Sequence, residues 1–154
     1  MPKLERYIPK LDNYIKNFEK HLATQVKKDE KFILKVLQNR LEFQNIDGDG
    51  KSLGTYSERH KKYRSKLGLR TSGVTLNLFG GFYKDMFIAL EKGQLFIDSK
   101  DYKTLLLVDG EGNLPGYGQA ILELTEGEQQ EWIEQRIEPA LIEIIINFGE
   151  EIIF

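Results

Sequence analysis

Six cations fall within twelve residues, Arg59, Lys61, Lys62, Arg64, Lys66 and Arg70, with Tyr63 interleaved and His60 among them. Guanidinium and ammonium groups at this density can neutralise phosphates, each contact adding to the salt dependence of binding. No base-reading motif accompanies them, and a solvated loop or a basic surface that meets an acidic partner has the same composition. Other chemistry-bearing residues are sparse. Histidine occurs only at His21 and His60, neither with a metal-ligand spacing nearby, and there is no Gly-x-Ser-x-Gly elbow or HExxH. Glu128, Glu131, Glu134 and Glu138 recur at helical spacing and read as a solvated face rather than a general acid and base. Zero cysteine excludes disulfides, thiolate metal sites and a Cys nucleophile. The expectation is a chain with no catalytic residues, no metal and no cofactor.

Two loop motifs come close to ligand chemistry and stop short. Asn45, Asp47, Asp49 and Gly50 fit the first positions of an EF-hand loop, but Tyr56 stands where the bidentate Glu is required. Gly50-Lys51-Ser52 has the end of a phosphate-binding loop, yet the opening glycine falls at Asn45 and no apolar strand precedes it. The stretch from Asn45 to Gly50 therefore reads as a turn built from residues that tolerate left-handed backbone angles.

The elements that must carry these residues follow from periodicity. Leu4, Ile8, Leu11, Ile15, Phe18, Leu22 and Val26 alternate spacings of four and three, and Phe32, Ile33, Val36, Leu37, Leu41 and Phe43 extend the stripe. That pattern predicts one long helix, or a helix pair with a break near Thr24 or Asp29, running to about Phe43. Such length must pack along the whole body or reach a neighbouring subunit. Val74-Thr75-Leu76-Asn77-Leu78 alternates as a half-buried strand does, and Gly80-Gly81 ends it before a short turn at Phe82, Tyr83 and Met86. Phe87 to Leu90 and Leu95 to Ile97 read as a hairpin through Glu91-Lys92-Gly93. A short helix is expected over Asp101 to Val108, capped by Ser99 or Asp101 and ended by Gly110 and Gly112, with irregular chain at Pro115 to Gly118. Thr125-Glu126-Gly127-Glu128 is a capping box, opening an acidic amphipathic helix with Trp132, Ile133, Ile137, Leu141, Ile144, Ile145 and Phe148. Pro139 should kink or restart it. Ile142 and Ile146 widen its apolar face, so contact with another subunit or packing under the chain's own sheet is expected.

At 154 residues, 40% hydrophobic and 30% charged, the chain suits one soluble domain. Its parts would be a helical segment over 1–44, a basic loop region over 45–73, a small sheet with short helices over 74–124, and a C-terminal helix and tail over 125–154. No apolar run approaches the ~18 residues of a membrane span, and no secretory leader is visible, so a protein made and assembled inside a cell is expected. Net charge is −2, but residues 1–70 hold 17 Lys and Arg against 9 Asp and Glu, and residues 71–154 hold 5 against 15. The halves are thus +8 and −10. A chain so divided suits head-to-tail association with unlike partners, or separate solvated faces on one monomer.

Gly50, Ser52, Leu53, Gly54, Tyr56 and Ser57, followed by a Lys-rich linker and then Val74, Leu76, Gly80, Phe82 and Tyr83, resemble the signature of tailed-bacteriophage head-to-tail connector proteins. These are the neck or tail-completion proteins, often labelled minor tail proteins and also found in prophages. The family form is G-x-S-L-G-x-Y-S, then V-x-L-x-x-T-G-x-F/M-Y/L-x-S. Phe79 replaces the Thr of that pattern, Gly81 its usual acid and Asp85 its Ser, which removes hydroxyls able to cap the turn. Ala120 to Glu126 is similar to the family's apolar segment and cap before the last helix, and the order of elements agrees.

The resemblance implies an α+β fold and a virion structural role. A homo-oligomeric ring would lie beneath the portal or adaptor ring, join it to tail proteins at the head–tail interface, and surround the channel through which DNA leaves. It implies no turnover and no membrane partner. The 59–70 cations would then touch packaged DNA or an acidic ring protein, and Trp132, Ile133, Ile137, Leu141, Ile145 and Phe148 would pack within and between subunits. The competing expectation is a soluble DNA-binding or regulatory protein using the same basic window, monomeric or dimeric and strongly salt-dependent.

Overall fold

The computed structural model of the chain describes residues 4–112 and 114–153, with side chains over 9–112 and 116–149. It is an α+β fold of long terminal helices around a small antiparallel hairpin. Helix α1 (Leu4–Asn39) is continuous and ends in a π-helical turn, Arg40–Gln44. Of the two readings of its stripe, one unbroken helix is the outcome. Asn45 closes it with a left-handed backbone at φ 58°, and its N–H donates to the Arg40 carbonyl at 3.0 Å.

The hairpin pairs β1 (Met86–Glu91) with β2 (Gln94–Ser99), Ile88 opposite Ile97 and Glu91 opposite Gln94. The turn is therefore two residues, Lys92-Gly93, both at positive φ, the geometry that matches strand twist; Glu91 belongs to the ladder. Met86 starts β1 rather than ending the preceding helical turn. The hairpin lies along α1, and the Ile88 N–H, in β1, donates to the Glu30 carboxylate at 3.2 Å. Lys27 and that N–H hold Glu30 below the usual carboxylate range.

Helix α2 is Glu58–Lys66, α3 Gly81–Lys84 and α4 Thr104–Asp109, followed by a two-residue ladder of β3 (Gly110–Glu111) with β4 (Leu114–Pro115). Helix α4 begins three residues later than its sequence boundary. Asp101 instead shapes the approach, accepting the Lys103 N–H at 2.8 Å, while Thr104 Oγ1 donates back to Asp101 O at 2.7 Å. A 3₁₀ turn (Gln119–Leu122) leads to α5 (Glu126–Trp132), where the Thr125–Glu128 capping box is formed in both directions. A π-helical segment, Ile133–Ile137, then runs without a break into α6 (Glu138–Ile153), and its wider turn stands immediately before Pro139, which has no N–H to give the preceding turn.

One core joins these elements. Ile33, Leu37 and Leu41 of the α1 stripe meet Phe82, Met86, Ile88 and Ile97 of the hairpin region, with Ile121, Leu122, Trp132 and Ile137 from the C-terminal part. Each such side chain contributes about 1.5–3 kcal/mol by leaving water. Two buried polar groups pin the C-terminal part to α1. Asp29 accepts from Trp132 Nε1 at 3.1 Å and Gln25 Nε2 at 2.9 Å, and Arg40 is paired with Glu128 while donating to Glu123 O at 2.6 Å. Gly48 permits the remaining closure, since a Cβ there would stand 2.8 Å from Ala120 O; its N–H donates to that same carbonyl.

The Val74 to Leu78 segment forms no strand, contrary to its alternation. Leu76 has a left-handed backbone at φ 56°, incompatible with a ladder. The Thr75 N–H and the Val74, Thr75 and Asn77 carbonyls are bonded instead by side chains from elsewhere in the chain.

Candidate functional site

Two stretches singled out in the sequence, Gly50–Ser57 and Val74–Tyr83, are brought together into one hydrogen-bonded unit. Ser52 pairs with Ile46 in an isolated bridge and its Oγ accepts the Gly54 N–H at 3.1 Å, which turns the chain so that Gly54 O receives the Val74 N–H at 3.1 Å. Gly50 and Gly54 sit at φ 78° and 81°, where a side chain would be strained. Leu53 is buried beneath them. Tyr56 Oη accepts the Thr75 N–H at 3.0 Å, and Tyr83 Oη donates to Thr75 O from the other side. Burial pushes the Tyr83 phenol well above its usual range, so it remains a neutral donor. Asn45 Nδ2 donates to Val74 O at 3.1 Å.

Arg64 completes the unit. It is 2% exposed, stacks 4.5 Å from the Tyr56 ring centre, and donates to Arg70 O at 2.7 Å, Asn77 O at 2.8 Å and Thr75 Oγ1 at 3.2 Å. The fork of the guanidinium fits three divergent acceptors as no other side chain does. Arg64 is thus a structural centre, buried away from any phosphate. Arg70 is exposed, yet its guanidinium donates to Ser72 Oγ at 2.7 Å and Glu42 O at 2.6 Å, closing the carbonyls left at the end of α1.

The basic window is a helix rather than the expected loop, capped by Ser57, whose Oγ accepts the His60 N–H. Arg59, Lys62 and Lys66 are exposed and spaced by three and four, so they share one face over about 10 Å of helix. Lys61 lies on the opposite side and pairs with Glu58 at 2.7 Å. The free cationic surface thus consists of three residues of the six.

Beside this unit opens a groove of about 840 Å³, lined mainly by apolar groups that include Tyr56, Val74, Leu76, Phe82, Leu107 and Tyr117. Gly80, left-handed at φ 79°, starts α3 at its edge without a side-chain cap. Phe79, which departs from the family pattern, is an exposed rim residue. The Gly81 departure also has a local reason: the Asp101 carboxylate occupies the space in which a Cβ at Gly81 would stand. Lys103 lies near both the Phe79 and Tyr102 rings, 6.0 Å and 5.2 Å from their centres.

The residues of the last helices divide. Trp132 and Ile137 are buried in the subunit core and Leu141 packs against it, so these three stabilise the chain itself. Phe148 stacks on Tyr14 of α1 with ring centres 4.0 Å apart. Ile133 and Ile145 remain exposed. His60 lies 4.7 Å from the Tyr56 ring, His21 is an exposed residue of α1 at the grooves beside α6, and among the described residues no three His, Asp or Glu side chains gather where they could hold a metal. Among the described residues no helix is long and apolar enough to cross a membrane. No protein-family model, curated protein or solved structure matches the chain.

Proposed function

We propose that the chain is a structural subunit of a tailed-bacteriophage particle, a ring-forming head-to-tail connector that joins the portal vertex to the tail around the DNA exit channel. The observation that supports this reading most is the convergence of the two connector-like stretches. Gly54 and Tyr56 of the first stretch hydrogen-bond to Val74 and Thr75 of the second, about twenty residues on, and Tyr83 closes on Thr75 from the other side. A resemblance scattered by chance has no reason to assemble so. The buried charges favour assembly over turnover as well, because Asp29, Arg40 and Arg64 are each tied to partners that hold elements together.

In this role the chain works by docking. A ring requires that one face of a subunit meet a different face of the next, and an N-terminal half at +8 with a remainder at −10 supplies unlike faces. Arg59, Lys62 and Lys66 would meet DNA in the channel by phosphate neutralisation, without base reading.

Reversing these three to Glu, with Lys61 and Arg64 left in place, is the test. Being exposed, the positions should leave the melting temperature nearly unchanged. Binding of the purified chain to duplex DNA should lose about three units of salt slope, and particles carrying the variant should lose packaged DNA. Variant particles as full and as infectious as the unaltered ones would remove the basic face from the mechanism.

A further inference from the structure

We propose that residues 57–69 form a hinged strap, latched onto the body by Arg64 alone, that opens as a unit while the rest of the chain stays folded. The strap carries α2 and supplies one wall of the groove. This device goes beyond the assembly proposed above and does not depend on it.

Almost nothing apolar holds α2 down. Its nine residues bury one side chain, that of Arg64. Tyr63 and Leu67 are 46% and 44% exposed, and among the described residues no other helix or strand packs along it. A helix shorter than about 12–15 residues is marginal in water by itself, so α2 depends on whatever pins it. Every hydrogen bond that residues 58–69 make to described residues outside the strap comes from Arg64, to Arg70 O, Thr75 Oγ1 and Asn77 O. Beyond these, the Arg64 guanidinium and the His60 ring lie against the Tyr56 ring. The Ser57 cap and the Lys61 to Glu58 pair are internal to the strap and travel with it.

The chain on either side is fixed. Tyr56 Oη is held by the Thr75 N–H, Gly54 O by the Val74 N–H, and Arg70 reaches Glu42 O and Ser72 Oγ. Between these anchors and the helix lie two points that can turn. One is Ser57, the extended cap residue with ψ at 153°; the other is Gly68, left-handed at φ 68° with open space where a Cβ would stand. Hinges are a few residues of this kind at the ends of an element. The segment lacks the apolar attachment to the core that α1 and the hairpin have, so it lies at the low end of local stability.

Opening changes two things together. It takes Ser57, His60 and Arg64 out of the groove wall, which widens the groove, and it swings Arg59, Lys62 and Lys66 away from the body. The width of the groove and the position of the cationic face are thus set by one guanidinium.

Native-state hydrogen exchange on the full-length chain is the test. In the unaltered chain the amides over 61–67 should exchange at one common level, about a hundredfold or more faster than those over 33–41. Their exchange should respond little to urea below the unfolding transition, because opening the strap exposes little surface, whereas exchange over 33–41 should rise steeply. Arg64→Ala should bring the strap amides close to the rate of an unstructured chain while 33–41 stay protected. Gly68→Ala strains the hinge without touching a neighbour and should speed strap exchange about fivefold. Strap amides that follow urea as steeply as those over 33–41, or that fray in a gradient from the ends, would overturn the inference. So would strap amides that keep their protection in Arg64→Ala or lose it only together with 33–41.

Discussion

Replacing Arg64 with alanine is expected to cost about 4 kcal/mol, lowering the melting temperature by roughly 8–16 °C for a chain of this size. Three acceptors, Arg70 O, Asn77 O and Thr75 Oγ1, lose their donor together, and the Tyr56 ring loses the cation stacked on it. Hydrogen bonds from a charged donor contribute about 1.5–3 kcal/mol each, and buried carbonyls left unpaired cost more than the mean bond is worth. The segment over 70–78 has no ladder to fall back on, so the loss should open the groove wall and raise hydrogen exchange there first. Arg64→Lys should recover little, because one ammonium cannot span the three acceptors. A DNA-contacting arginine would behave in the opposite way: its removal would weaken DNA binding and leave the melting temperature alone. Thermal denaturation of Arg64→Ala beside Lys62→Ala therefore separates the buried cation from the exposed one within a single helix.

The second large effect is expected at Glu128. Its carboxylate closes the α5 capping box by accepting the Thr125 N–H at 2.9 Å and also neutralises Arg40, which is 1% exposed. Glu128→Gln keeps the capping box, since an amide oxygen can accept the same N–H, but leaves a buried guanidinium without its counter-charge. The expected loss is about 3–5 kcal/mol in urea unfolding. Burial already draws Arg40 below its usual range against the pull of Glu128, and its Nε has no hydrogen-bond partner. Combining Glu128→Gln with Arg40→Met should restore much of the loss, because a buried pair replaced by groups of similar volume is close to neutral. If the double variant is as unstable as the sum of the two single ones, the pair is not coupled and the α1 to α5 clamp is wrongly assigned.

Much of the scaffold was legible because it rests on local rules. The four-and-three spacing from Leu4 to Val26, the Thr125–Glu128 box and the hairpin turn at Lys92 and Gly93 each need only neighbours in sequence, and the structure follows them, although Glu91, expected in that loop, joins the ladder and the helix runs on through Pro139 without restarting. Val74 to Leu78 failed for a physical reason: alternation reports side-chain polarity, while strand formation depends on where the backbone groups find partners. Here Tyr56, Tyr83, Asn45 and Arg64 supply those partners from 8 to 29 residues away. The basic window failed differently. An exposed and a buried arginine have identical composition, so nothing near Arg64 distinguishes it from Arg59, although Ser57 before Glu58 was an available cap signal for the helix itself. The apolar C-terminal residues could be assigned to core or to surface only once the seam with α1 was known, since Trp132 and Ile145 belong to the same periodic pattern.

Size and composition describe only one mixed α and β chain, whereas the structure gathers three exposed cations, Arg59, Lys62 and Lys66, on one helix face. The central claim is that this chain is a component of the particle. Mass-spectrometric analysis of tailed particles purified from cells that carry the gene tests it most directly. The account predicts the chain in tailed particles at several copies each, retained through steps that strip loosely bound protein, and heads lacking tails when the gene is deleted. Tailed particles that contain none of it, assembled normally without the gene, would contradict the account.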